Sequence, residues 1–224
     1  MPKLEDRFAK AAELWSKGKF KEAMAIYRRL LQNETISKMA RAILCEYIGR
    51  LHVGLGDLKT AEDFLRRAVS LDSENVDHHV QLANCLCLCD RREEAWQLVR
   101  QLYQRASHHP AVLHYMGKML DERGQHARGL AFMKKAIHLD PHNARLLADL
   151  AFSYLMRGNA GAAMVCSEQA LALHSEDEVV QFVHELASTY ERQSSSIKPS
   201  PSQNVLPSQD RKKSQTKNLK REAK

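Results

Sequence analysis

Gly124-Gln125-His126-Ala127-Arg128-Gly129 is followed 34 residues later by Gly158-Asn159-Ala160-Gly161-Ala162-Ala163, and upstream by Asp90-Arg91-Arg92-Glu93-Glu94-Ala95, Gly56-Asp57-Leu58-Lys59-Thr60-Ala61 and Gly18-Lys19-Phe20-Lys21-Glu22-Ala23. The opening residues are spaced by 38, 34, 34 and 34. A fixed period of this length marks a repeat architecture, in which one supersecondary unit is copied and stacked. Each phrase joins a turn residue to a small residue, and apolar side chains recur at helical period on both sides of it. Each unit therefore reads as helix, tight turn, helix.

Working outward, Gly49, Ala83, Gly117 and Ala151 fall at matching points of the first helices, and Ala61, Ala95, Gly129 and Ala163 at matching points of the second. Such small side chains let paired helices approach closely, while Leu65, Val99 and Met133 fill the space between hairpins. Leu139-Asp140-Pro141 closes one unit with a residue that cannot continue a helix, and Leu71-Asp72-Ser73 stands in its place earlier.

Composition agrees with an all-α chain. Glycine and proline are few, aromatics are 6%, and the 44% hydrophobic content is spread through short helical blocks. The formal charge of +7 is concentrated at one end: residues 193–224 hold eight basic side chains against Asp210 and Glu222, a net of +6, which leaves +1 for the rest. The N-terminal sequence lacks the features of a signal peptide, and no run of eighteen apolar residues occurs, so a soluble, cytoplasmic protein is expected, with peripheral attachment to a membrane or organelle left open. Five cysteines, without an export signal, read as reduced thiols.

The 34-residue step, the recurrent Gly or Ala and the Leu-Asp-Pro ending resemble the tetratricopeptide repeat (TPR). The resemblance implies an α-α superhelix, a solenoid of about five helix-turn-helix copies at roughly 4–37, 42–75, 76–109, 110–143 and 144–177. The first copy is degenerate, an insertion of four residues within Gln32 to Lys38 precedes the second, and the third has Asp90 in place of the turn glycine. Glu178 to Arg192 is the expected capping helix, with its apolar face inward and polar residues outward; residues 1–192 then form one solenoid. Residues 193–224, rich in Ser, Pro and Lys, are expected to be a disordered basic tail.

The resemblance also implies that the first helices line a concave groove that receives a peptide or partner helix. By the usual repeat geometry, its lining includes Arg50, Asn84, His114 and Lys118 at the centre, Arg145 and Phe152 towards one end, and Phe8 and Trp15 at the other. A lining of this kind combines apolar anchors with polar groups that reject misfits. The expected role is a non-enzymatic scaffold or adaptor, in assembly of a complex or organelle, with a protein or peptide partner and self-association through an uncapped face as a further option. Bacterial secretion and pilus-assembly chaperones look similar. The carboxylate clamp of chaperone-adaptor TPR domains is not matched: the corresponding residues are Val80, Asn84, Tyr115, Arg145 and Asp149, and Asp149 has the wrong sign for a carboxylate ligand.

Other groupings suggest less. Cys85, Cys87 and Cys89 invite a metal, but only Cys85 and Cys89 share a helix face and no CxxC pair exists, so packing is the expected role. His78-His79 and His108-His109 fall at hairpin junctions and read as solvated. Neither a phosphate-cradling glycine loop nor a nucleophile elbow is present, and no catalytic residue, metal or cofactor is expected. The tail residues Arg211, Lys212, Lys213, Lys217, Lys220 and Arg221 offer an alternative, association with nucleic acid or an anionic membrane. With no aromatic among them, they lack a base-stacking surface.

Overall fold

A computed structural model describes residues 4–196, which form eleven α-helices and no strand among the described residues. The helices are α1 Leu4–Ser16, α2 Phe20–Leu31, α3 Lys38–Gly54, α4 Leu58–Leu71, α5 Val76–Leu88, α6 Arg92–Arg105, α7 Pro110–Glu122, α8 His126–Leu139, α9 Ala144–Leu155, α10 Ala160–Leu173 and α11 Glu178–Ser196. The first ten pair as five antiparallel hairpins, and each hairpin packs on the next, as in a solenoid.

The turns inside the hairpins share one construction. Gly18, Gly56, Gly124 and Gly158 adopt positive φ of 69° to 77°, and the following amide donates back across the turn, as in Asp57 N to His52 O and Asn159 N to Tyr154 O. This is the Schellman termination, whose left-handed residue is usually glycine because it has no Cβ to clash. In the third hairpin Asp90 takes the same place at φ 60°, since aspartate tolerates the left-handed region better than most residues. Asp57 and Asn159 then cap the second helices by accepting from the amides of Thr60 and Ala162.

Within a hairpin the helices meet at their small residues. A Cβ placed on Gly117 would lie 2.8 Å from the Gly129 carbonyl oxygen, so α7 and α8 touch backbone to backbone. Leu65, Val99 and Met133 are buried between hairpins, each worth about 1.5–3 kcal/mol of apolar burial. The core runs as adjoining clusters from Ala11 and Tyr27 to Ala163 and Ala187.

Three expectations need correction. The second unit does not begin at 42: the extra residues lengthen α3 by a turn, because Ser37 caps it by accepting from Ala40 N and Ile36 is buried in the first core. The cap does not end at Arg192 but continues to Ser196, where Ser194 Oγ donates to the Glu191 carbonyl. Nor is its outward surface uniformly polar, since Val179, Phe182 and Tyr190 stay exposed. The reason is register: α11 begins 34 residues after α9 and buries Val180, Val183 and Ala187 against the preceding hairpin, as a first helix of a further unit would. Residues 197–224, including the predicted basic tail patch, lie outside the described residues.

Candidate functional site

The first helices α3, α5, α7 and α9 carry a row of polar side chains, and most of their charges answer one another across neighbouring repeats. Glu46 on α3 is buried, and its Oε2 accepts from His78 Nδ1 on α5 at 2.6 Å; because a carboxylate can only accept, the ring proton sits on Nδ1. The same carboxylate lies 3.5 Å from Arg50 Nη1. Arg50 lies over Trp15 and Tyr47, 4.9 and 5.4 Å from their ring centroids, so its charge is held by two aromatic faces as well.

Two repeats further on the pattern returns. His114 Nε2 on α7 lies 2.8 Å from Asp149 Oδ2 on α9, and Lys118 Nζ lies 3.7 Å from the same oxygen. Desolvation pushes the Asp149 carboxyl up, but the His114 hydrogen bond and the charges of Lys118, His114 and Arg145 outweigh it and hold Asp149 below the ordinary carboxylate range. Asp121 accepts from Ser153 Oγ at 2.6 Å and from His126 Nδ1 at 2.7 Å, and also pairs with Arg157.

The structure therefore sorts the predicted groove residues. Asn84 is half-buried on α5, and its side-chain amide has no hydrogen-bond partner among the described residues. Lys118 is half-exposed beside Asp149. Phe152 is 42% exposed and, with Met156 at 71%, borders a cleft of about 580 Å³ that Lys118, Asp121, Asp149 and Arg157 also line. Arg145 is exposed at the rim, where its Nε donates to Asp177 Oδ2 at 2.8 Å. His114 is the correction: it is buried and committed to Asp149, so it shapes the wall instead of facing a ligand. At the other end Phe8, Ile43 and Tyr47 border an apolar cleft of about 500 Å³.

Sequence reasoning missed the Glu46–His78 and His114–Asp149 pairs. A signal for some of these pairs was available. Complementary polar residues 32 apart recur as Glu46–His78, Asp77–His109, Asp121–Ser153 and Arg145–Asp177, two short of the repeat length. Cys85 is fully buried and Cys87 and Cys89 pack against the same core. Burial, together with the neighbouring Cys89, pushes the Cys85 thiol up to about 12, which suits packing and not a reactive thiolate. Among the described residues no group of three or more His, Cys, Asp or Glu side chains could hold a metal ion.

A chain of stacked helical hairpins of this kind is an α-solenoid. Tetratricopeptide repeat family models match residues 45–75 and 122–182. The crystal structure of TTC0263, a thermophilic TPR protein in Thermus thermophilus, is similar at a TM-score of 0.70 and 16% identity, covering 83% of this chain and 98% of that one. A structure of MamA residues 41 to the end from Desulfovibrio magneticus RS-1 is similar at a TM-score of 0.50 and 16% identity, covering 78% and 96%. At these identities the likeness concerns the fold alone. No curated protein matches. Two stretches of the chain thus match tetratricopeptide repeat models, and the described helices have the tetratricopeptide repeat fold, which generally serves protein–protein interaction.

Proposed function

We propose that this chain is a non-enzymatic adaptor that holds a peptide or a short helix of a partner protein in the groove of its first helices, as part of assembling a larger complex. The observation that carries the reading is the cleft at α7 and α9, where exposed Phe152 and Met156 adjoin Lys118 and Asp149. An apolar anchor entering it would gain burial, and a polar group on the same segment would meet Lys118 or the Asn84 amide, which has no hydrogen-bond partner among the described residues. Peptide ligands of helical repeat grooves draw affinity from such anchors and specificity from the polar groups between them.

The experiment is affinity capture with the full chain and with an Asn84→Ala, Lys118→Ala double variant, each shown by circular dichroism to keep its helix content. Loss of specific partners from the double variant is expected. An unchanged set of captured proteins would move the binding site elsewhere.

A further inference from the structure

The apolar stripe on α11 calls for an occupant. Val179, Phe182 and Tyr190 are 48%, 60% and 46% exposed and stand at the positions that Arg145 and Ala148 on α9 and Met156 at its C-terminal cap hold one 34-residue step earlier. The positions that would meet a further second helix, one 34-residue step after Ala144, Leu147 and Ala151, are polar, namely Glu178, Gln181 and Glu185. So α11 closes the stack with a polar end, yet continues the groove wall with apolar side chains beyond Phe152 and Met156. A solvated cap has no packing reason for two aromatic side chains in a row at i and i+8.

Charge narrows the choice of occupant. Residues 144–196 hold three arginines and no lysine against seven acids, a net of −4, whereas residues 197–224 carry +6. A second copy would bring its own acidic end to this one, with Glu178, Glu185 and Glu191 on each α11 against Arg192 alone. The chain's own C-terminal segment has the opposite sign and starts at the end of α11. Its adjacent large apolar residues, Val205 and Leu206, come nine residues after Ser196, a reach of up to ~30 Å. Phe182 lies fourteen helical residues back from Ser196, ~21 Å. The tether also sets a local concentration on the order of millimolar, so a weak contact suffices.

We propose that the apolar stripe of α11, with Phe152 and Met156, is the docking surface for the chain's own C-terminal segment, Val205 and Leu206 seating on it while Arg211, Lys212 and Lys213 lie against the acidic end of the solenoid. The inference rests on the groove reading for the face it uses. It adds that this end of the groove is occupied in cis and that a partner reaching it must displace the segment.

The test uses the full chain with Phe182→benzoylphenylalanine as a photoprobe, and the adducts are mapped by mass spectrometry. The expected result is an intrachain adduct around residues 204–207, roughly fivefold above the yield from the same probe at exposed Val165 on α10, and lowered by Val205→Ser with Leu206→Ser. Circular dichroism of the doubly substituted chain checks that its helix content is unchanged. Equal yields from positions 182 and 165, or adducts only between two chains, overturn the proposal. Neither outcome touches Asn84 and Lys118, so capture of partners that depends on those residues can stand when cis docking fails.

Discussion

Replacing Gly117 with alanine probes the close approach of α7 and α8. A Cβ at this position would lie 2.7 Å from Met133 Cγ, 2.8 Å from Gly129 O and 3.0 Å from Met133 N. The methionine side chain can swing aside, but the carbonyl and amide belong to the hydrogen-bonded ladder of α8 and move only with the helix. The two helices must part by several tenths of an ångström, an overpacking cost of about 1–3 kcal/mol. Alanine recovers about 0.5–1 kcal/mol over glycine in a helix, which leaves a net loss of about 1–2 kcal/mol. For a folded chain of this size each kcal/mol moves the midpoint by roughly 2–4 °C, so Gly117→Ala should melt roughly 2–8 °C lower. Gly161 is the control. It lies in α10 with nothing within 4 Å of its would-be Cβ, so Gly161→Ala should raise the melting midpoint by roughly 1–4 °C through the unfolded state alone. Both are read by circular dichroism at one scan rate and one concentration. If Gly117→Ala stabilises as much as Gly161→Ala, α7 and α8 are not in backbone contact and the packing argument fails.

Asp149→Asn removes the anion shared by His114 and Lys118 and should cost about 1 kcal/mol near neutral pH. Because the folded pKa of Asp149 is depressed, its contribution is present above the unfolded value near 4 and is lost as pH falls through the folded value. The deficit of the variant should therefore hold down to about pH 5 and shrink as pH falls from about pH 5 to about pH 2 in paired denaturant titrations, and a deficit constant across that window refutes the assignment. Cys85 and Cys45, both fully buried, should resist Ellman's reagent at about pH 8 until the chain is unfolded. All five thiols reacting at the rate of a free thiol would show that α5 is loosely packed.

Much of the fold could be read before any coordinates. The period is carried by residues whose role is local: Gly56 or Gly158 at a left-handed turn, Asp57 or Asn159 at a helix start, and a glycine or alanine at each helix crossing. These act through backbone geometry within a few positions, so their spacing survives in the linear chain. The lengthened α3 and the continuation of α11 to Ser196 were less legible, because a helix end depends on whether a neighbour such as the buried Ile36 rewards one more turn.

The site was legible in part. Counting repeat positions brought Lys118 and Phe152 to one cleft and Asn84 to the same wall, but could not distinguish a free side chain from one already engaged. His114 reads as a groove ligand until Asp149 is found 2.8 Å away on the next repeat. Arg50 reads as a free cation until Trp15, Tyr47 and Glu46 surround it.

The sequence by itself determined the repeated hairpin, its turns and its small-residue crossings, since each is fixed by interactions among residues close in the chain or related by the constant period. Only the tertiary structure decided which charges are spent on neighbouring repeats and which apolar residues α11 leaves uncovered. Those outcomes depend on side-chain reach and burial between units stacked some thirty residues apart, and a position number carries neither.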